Sequence, residues 1–148
     1  MNALIGRLGH GDYIIVCDAG FAVPLGVNKI DLAVEKDSPN ILRILELLND
    51  ELFIEKINVP KEMKEYNPKL FERIQQLYSN LIIEFGEVPY KVVSEEIAKT
   101  AKAVIRTGSF EPFGEIVLFA AVNAEEWFLR DGVKIPEHYK ERLRKSLQ

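Results

Sequence analysis

Two patterns of apolar residues alternate along the chain and predict its secondary structure. Short runs rich in β-branched residues, bounded by polar or turn-forming residues, are typical of buried strands. Such runs predict strands at 13–17, 29–33, 53–59, 90–93, 103–106 and 116–122. Apolar residues spaced three or four apart predict helices after Pro39 and from Asn67-Pro68 to Leu81, each with one face packed on a sheet.

Turn-forming and capping residues mark the ends of several predicted elements. Residues 3–8 read as the end of a short helix, and Gly9 suits the left-handed position after a helix C-terminus. Ser94, followed by two glutamates, has the pattern of a helix N-cap. Gly132 breaks the residue pattern after Trp127 and Phe128, and residues 136–148 then have the composition of a basic terminal helix.

This succession of elements indicates the fold class. Strands alternating with helices predict a single α/β domain with a largely parallel sheet and helices on both of its faces. A chain of 148 residues is of the usual size for one domain. We assign residues 1–122 to this domain and residues 123–148 to a C-terminal helical extension of it. Because the charged side chains of the extension suit a solvent-exposed face, we expect it to be a docking helix or a helix that packs between copies of the chain, rather than a catalytic element.

Composition and charge exclude several classes of partner. The net charge is −4, and basic residues interleave with acidic ones, so a nucleic-acid surface is not expected. The longest apolar run, 116–122, is about a third of the roughly 20 residues that a membrane span needs. The first twelve residues lack the pattern of a secretory signal, which predicts a cytoplasmic protein.

The histidines and the single cysteine argue against a metal or disulfide. Cys17 is the only cysteine, so no intrachain disulfide and no multi-cysteine zinc site is possible. It is predicted to be a small buried hydrophobic residue. His10 and His138 lie far apart in sequence without ligand-spaced neighbours, so we expect neither a metal nor another cofactor.

A motif at residues 8–12 provides the most specific functional signal. Leu8-Gly9-His10-Gly11-Asp12, followed by an apolar strand and Cys17-Asp18-Ala19-Gly20, resembles the opening signature of the D-ribose pyranase and L-fucose mutarotase family. Further similar segments follow in the family's order, so that the resemblance covers about residues 4–122: Val23-Pro24, residues 29–32, residues 103–108 and Pro112 before an apolar strand. The resemblance implies an α/β fold in large cyclic homo-oligomers, with each active site shared between neighbouring subunits.

The resemblance also implies a reaction and two residues that carry it. Family members interconvert ring forms of a reducing sugar, which requires a proton delivered to the ring oxygen and one removed from the anomeric hydroxyl. Histidine suits this task because it exchanges a proton near neutral pH. His10 matches the family's acid/base histidine, and Asp18 matches its sugar-binding carboxylate, which accepts hydrogen bonds from sugar hydroxyls.

Other positions depart from the family pattern. Where members have Tyr, a small residue and Asn, this chain has Phe113-Gly114-Glu115. Phe113 keeps a ring that can stack on a sugar but has no hydroxyl, and Glu115 is expected to be an anionic acceptor in place of an amide. Ser94 falls where ribose pyranases have a further histidine, and Lys99 stands in for a lysine one turn on. Sequence comparison therefore predicts these substrate-binding residues: Asp18, Ser94, Lys99, Phe113 and Glu115.

Three functions are compatible with these residues. The favoured hypothesis is a sugar-ring isomerase acting on a ribose- or fucose-like monosaccharide by histidine acid/base catalysis. The Phe113 and Glu115 changes support an alternative, a non-catalytic monosaccharide-binding or regulatory protein on the same oligomeric scaffold. A third possibility is a different small-molecule enzyme that uses Glu115 and His10 as an acid/base pair.

Overall fold

Six strands form one mixed sheet in the computed structural model, which describes residues 1–144. In chain order they are β1 (Tyr13–Cys17), β2 (Lys29–Asp31), β3 (Ile54–Pro60), β4 (Glu84–Val88), β5 (Ala103–Arg106) and β6 (Glu115–Ala120). Their order across the sheet is β2-β5-β1-β6-β3-β4. Strand β6 runs antiparallel to both neighbours, whereas all other pairs are parallel. The predicted α/β fold with a largely parallel sheet is confirmed.

The helices are mostly short. They are α1 (Asn2–Ile5), α2 (Ile41–Glu51), α3 (Lys61–Tyr66), α4 (Pro68–Leu77), α5 (Tyr90–Val92), α6 (Ala98–Thr100), α7 (Ala124–Phe128) and α8 (Glu137–Lys140). A π-helical turn, Val93–Ile97, joins α5 and α6 into one continuous helical segment. Of the predicted terminal helix, residues 145–148 lie outside the described residues. Within residues 1–144, every helix is too short or too polar to cross a membrane.

Strand β1 shows how the sheet receives helices on both faces. Ile14 and Val16 belong to the apolar cluster formed with α2 and α4, whereas Ile15 and Cys17 belong to the cluster formed with the helical segment 90–100. All four side chains are fully buried. Because successive side chains of a strand point to opposite faces, only an uninterrupted apolar run satisfies both clusters.

The region between α4 and β5 differs from the sequence prediction. The predicted strand at 90–93 is wrong, because these residues are helical and the strand is β4. Among the described residues, strand β4 is an edge strand that pairs with β3 alone, so its residues are partly exposed and carry no continuous apolar run. Ser94 is not an N-cap, since it lies inside the helical segment and its hydroxyl donates to the carbonyl of Lys91 at 3.3 Å.

Two further local predictions are corrected by the structure, and the helix predicted after Pro39 is confirmed. The left-handed glycine near the first helix is Gly11 rather than Gly9. Pro39 precedes the first turn of α2, and Asn40 caps that helix by accepting a hydrogen bond from the backbone of Arg43. Helix α4 ends at Leu77, which leaves Leu81 exposed in the following turn.

Candidate active site

An open cleft of about 620 Å³ lies where β1 and β5 end and β6 begins. Ligands of α/β proteins commonly bind beyond the carboxyl ends of parallel strands, and the volume is that of a small-molecule site. The cleft is lined by Asp18, Ala19, Gly20, Phe21, Tyr90, Arg106, Ser109, Phe110, Glu111, Pro112, Phe113 and Glu115.

Asp18 follows β1 directly, and the surrounding backbone holds it in place. Its Oδ1 accepts a hydrogen bond from the backbone N–H of Gly20 at 2.8 Å. Its own N–H donates to the carbonyl of Gly114 at 2.9 Å. The guanidinium of Arg106 donates from Nε to the carbonyl of Ala19 at 2.9 Å. These contacts fix the loop that presents the Asp18 carboxylate to the cleft.

Arg106 at the end of β5 links this loop to the edge of the sheet. Its Nη1 donates to both carboxylate oxygens of Asp31, at 3.0 and 3.1 Å. A hydrogen bond from the backbone of Ala33, and then the bonds and charge of Arg106, lower the pKa of Asp31. Sequence analysis missed Arg106 as a site residue, although its position at the end of a strand beside β1 was a usable signal.

The turn before β6 has a strained backbone. Phe113 has φ +54°, in the left-handed region that non-glycine residues seldom adopt and that often marks functional sites. At Gly114 a Cβ atom would lie 2.8 Å from Cδ1 of Ile41 and 2.9 Å from the carbonyl oxygen of Glu111. The amide of Asn67 donates to Oε2 of Glu111 at 2.8 Å. Packing thus leaves room only for glycine before Glu115.

Aromatic rings form one wall of the cleft. The ring of Phe113 contacts the ring of Tyr90 edge-on, with centroids 5.5 Å apart, and that of Tyr66 at 5.7 Å. Tyr90 is the first residue of α5, and its N–H donates to Oε2 of Glu62 at 2.8 Å. Sequence analysis missed Tyr90 because it read the segment as a strand. The preceding Pro89 was a signal for a helix start, where proline is favoured.

Glu115 is buried beside Asp18 at the floor of the cleft. Only 2% of its surface is exposed. Burial, and then the hydrogen bond and negative charge of Asp18, raise the pKa of Glu115 to about 10. A pKa this high favours the neutral acid over the anionic acceptor that the sequence analysis expected. Burial raises the pKa of Tyr90, and at the high pH where this hydroxyl would ionise the charges of Glu115 and Asp18 raise it further.

His10 lies at the opposite end of β1 from this cleft. Its side chain is 49% exposed, and its Nδ1 is 3.7 Å from Oε2 of Glu55 at the start of β3. Strand β1 has five residues, so its first and last residues are roughly 13 Å apart. A single chain therefore does not bring His10 together with Asp18 or Glu115.

The remaining predicted residues fall into two groups. Asp18, Phe113 and Glu115 line the same cleft. Ser94 and Lys99 lie on the helical segment 90–100 outside the lining, and the side chain of Lys99 is exposed. Their contact with a sugar stays a prediction.

Cys17 is directly before Asp18 but faces away from solvent. It is fully buried, as predicted, and burial followed by the charges of Asp18 and Glu115 raises the pKa of its thiol far above the usual range. The neutral thiol is a poor nucleophile. In the described part of the chain, no group of three or more His, Cys, Asp or Glu side chains is arranged to hold a metal ion.

Comparison with known proteins gives concordant results. The model of the RbsD / FucU transport protein family matches residues 1–123. D-ribose pyranase 2 of Rubrobacter xylanophilus is 36% identical over 142 residues, covering 96% of this chain and 91% of the relative. D-ribose pyranase 1 of Streptomyces griseus is 40% identical over 143 residues, covering 94% and 93%. The solved structure of Bacillus subtilis RbsD complexed with D-ribose is 34% identical with a TM-score of 0.78, covering 82% of this chain and 90% of that one.

Proposed function

This chain belongs to the RbsD / FucU transport protein family, and from that membership we propose that it is a D-ribose pyranase. It is an isomerase that interconverts ring forms of a monosaccharide. The observation that carries this assignment is the 36–40% identity to two D-ribose pyranases over more than 90% of both chains. D-Ribose is the favoured sugar because the solved relative at 34% identity is a complex with D-ribose.

The chemistry of the cleft suits a neutral monosaccharide. The ring of Phe113 offers an apolar surface for one face of the sugar. Asp18 accepts hydrogen bonds from hydroxyls, and the neutral hydroxyl of Tyr90 both donates and accepts. Together they provide the mixture of apolar and polar contacts that sugar binding requires.

We propose that His10 reaches the sugar from a neighbouring copy of the chain. The support is that His10 is half-exposed and lies at the opposite end of β1 from the cleft. Large apolar side chains are also exposed at both ends: Phe110 in the lining of the cleft, and Phe53 two residues before Glu55, which lies beside His10. Exposed apolar residues of this size suit contact surfaces between proteins. The proposed assembly is a cyclic homo-oligomer. Each contact in it joins the cleft end of the sheet in one copy to the His10 end of the sheet in the next copy.

The proposed reaction needs only proton transfers. A base takes the proton of the anomeric hydroxyl, and an acid gives a proton to the ring oxygen. The bond between the anomeric carbon and the ring oxygen then breaks to give the open aldehyde. Closure through another hydroxyl, or on the other face, gives the second ring form. His10 fills the acid/base role in this proposal.

Three lesser assignments accompany this function. We propose a cytoplasmic location, because the substrate is a small metabolite and the reaction needs no partner protein of another kind. We propose no metal or cofactor, because proton transfer by side chains suffices. Residues 123–148 are proposed to be an extension of the same domain, with residues 145–148 outside the described part.

Magnetisation-transfer NMR on the purified protein tests the function directly. Exchange between the pyranose and furanose signals of D-ribose should be faster with the protein than without it. L-Fucose serves as the comparison sugar. Faster exchange between the L-fucose anomers, without faster exchange of D-ribose, would identify the protein as a fucose mutarotase instead. D-Ribose binding without faster exchange would favour the non-catalytic binding protein.

The role of His10 has its own test. His10→Ala should lower the catalysed exchange rate by about 10²–10⁴, the usual contribution of a positioned acid/base group. His138→Ala is the matched control, because His138 packs against the ring of Tyr139 in the extension. Equal rates in the two variants would contradict the assignment of His10.

A further inference from the structure

The C-terminal extension is anchored by buried side chains in its described part, residues 123–144. Tyr139 and Leu143 are both buried, and the ring of Tyr139 packs on the ring of Phe128 with centroids 4.5 Å apart. The backbone N–H of Leu143 donates to the carbonyl of Tyr139 at 3.1 Å, which closes a helical turn. The intervening Arg142 is therefore held in a defined position by the burial of its neighbours.

Arg142 links this turn to the central sheet. Its Nη2 donates to the carbonyl of Glu55 at 3.0 Å in a partly buried hydrogen bond. Its guanidinium also lies 5.7 Å from the centroid of the Tyr139 ring. Burial raises the pKa of Tyr139, the charge of Glu55 raises it further, and the charge of Arg142 lowers it. The three side chains thus form one cluster at the start of β3.

Glu55 lies at an irregularity of the sheet. The register between β3 and β6 shifts between Ile54 and Lys56, so Glu55 occupies a bulge. A bulge disrupts the hydrogen-bond ladder locally and changes the direction in which a side chain points. The geometry at Glu55 therefore depends on contacts from outside the ladder, and the hydrogen bond from Arg142 is such a contact.

The carboxylate of Glu55 lies beside the imidazole of His10. Its Oε2 is 3.7 Å from Nδ1 of His10, which is longer than a hydrogen bond but within the range of an ion pair. The His10 side chain is half-exposed, so packing alone does not fix the orientation of its ring. A group that exchanges protons works best when a third group orients it. Glu55 is placed to restrain the ring in this way.

We propose that the C-terminal extension is a positioning element of the active site, in which Arg142 holds the bulged start of β3 so that Glu55 restrains the His10 imidazole. Arg142 acts through Glu55 and does not touch the sugar. The inference rests on the proposed function, in which His10 is the acid/base group. It gives the extension a role in turnover rather than in sugar affinity, because the cleft lies at the opposite end of β1.

The kinetics of D-ribose exchange distinguish this role from a purely structural one. Arg142→Ala should lower kcat by about tenfold and leave KM within about twofold, because it misplaces a reacting group but leaves the cleft intact. Arg142→Lys keeps a donor for the Glu55 carbonyl and should restore kcat to within about threefold of wild type. Arg144→Ala removes an exposed arginine two residues further on and is the matched control. Magnetisation-transfer NMR over a range of D-ribose concentrations gives both constants.

A double-mutant cycle tests whether Arg142 acts through His10. Adding Arg142→Ala to His10→Ala should change the remaining exchange rate by less than about twofold, because the positioned group is already absent. A further tenfold fall would mean that Arg142 affects the reaction by a route that does not involve His10.

Hydrogen–deuterium exchange gives a readout that needs no catalysis. In Arg142→Ala, peptides covering residues 53–57 should exchange about fivefold faster or more, because the start of β3 opens locally, whereas peptides covering β5 should be unchanged. Leu143→Ala removes a buried anchor of the same turn and should give the same pattern.

The results separate this proposal from the proposed function. A wild-type kcat in Arg142→Ala would overturn the positioning role, and so would unchanged hydrogen exchange at residues 53–57. A raised KM with normal kcat would place the extension in sugar binding instead. If wild-type protein does not accelerate D-ribose exchange but Arg142→Ala still loosens residues 53–57, the isomerase function fails while the link between Arg142 and Glu55 stands.

Discussion

Single residues of the cleft show how burial changes the chemistry of a side chain. A glutamate in the sequence carries a formal negative charge, and nothing in residues 113–115 indicates otherwise. In the structure, Glu115 is enclosed beside Asp18, so the free energy of the charged form rises and the neutral acid persists at pH 7. A neutral acid both donates and accepts hydrogen bonds, as an amide does.

The raised pKa of Glu115 predicts how stability depends on pH. Since its pKa rises from 4.5 to about 10 on folding, the folded state holds this proton more tightly. Its stabilising contribution is complete below pH 4.5 and is lost as pH rises towards 10. In that window, wild type should lose stability relative to Glu115→Gln by up to roughly 1.4 kcal/mol per pH unit. Urea unfolding of both proteins at pH 5, 7 and 9 measures this, and a constant difference would contradict it.

Gly114 is predicted to tolerate no side chain. Because an added Cβ would meet Ile41 and the Glu111 carbonyl at under 3 Å, Gly114→Ala should lower the free energy of unfolding by about 1–3 kcal/mol. D-Ribose binding should also weaken, since the shift moves Glu115. Gly6→Ala is the control, because Gly6 is in the right-handed helical region and a Cβ there meets one atom at 3.6 Å. Equal stability of the two variants in urea unfolding would refute the steric argument.

At the scale of elements, the helical segment 90–100 determines part of the site. Had residues 90–93 formed a strand, their side chains would alternate across a sheet. Because a helix begins at Tyr90 instead, this side chain meets Phe113 and turns towards the cleft. The segment remains packed through Val93 and Ala98, which belong to the apolar cluster on its face of the sheet.

The C-terminal extension docks beside the strand end that carries His10. The rings of Tyr139 and Phe128 lie 4.5 Å apart, and Arg142 donates from Nη2 to the carbonyl of Glu55 at 3.0 Å. Glu55 also lies beside His10, with its Oε2 3.7 Å from Nδ1 of the imidazole. The extension therefore supports the segment of β3 that faces His10.

This docking predicts a stability effect far from the cleft. Leu143 is almost completely buried, so Leu143→Ala should destabilise the protein by about 2–5 kcal/mol. Leu25→Ala is the matched control, because Leu25 is fully exposed and should change stability by no more than about 0.5 kcal/mol. Thermal unfolding compares the two, and an unaffected Leu143→Ala protein would mean that the extension is not docked as described.

At the scale of the whole molecule, the separation of His10 from Asp18 predicts complementation between copies. His10→Ala and Asp18→Asn should each be inactive alone. When the two proteins are unfolded and refolded together in equal amounts, about a quarter of the shared sites should combine an intact His10 with an intact Asp18. Exchange of D-ribose should then reappear at about that fraction. Its absence, with mixed oligomers verified by mass spectrometry, would exclude a site shared between copies.

Much of the fold could be predicted from local patterns. Strands β1 and β5 were predicted at their observed bounds because both are buried on two faces and so require unbroken apolar runs. Helix α4 was located by its apolar stripe and its proline start. Strand β4 was missed because an edge strand pairs on one side only and its residues need not be apolar.

The sequence by itself determined the α/β class, the resemblance to a sugar-isomerase family and the identities of Asp18, Phe113 and Glu115 as candidate site residues. These conclusions depend only on the order of the side chains along the chain, which the sequence states directly. Only the tertiary structure decided that Tyr90 and Arg106 join them, that Glu115 is neutral, and that His10 lies at the other end of β1. Distance, burial and protonation depend on residues remote in sequence, because the free energy of a charge depends on everything packed around it.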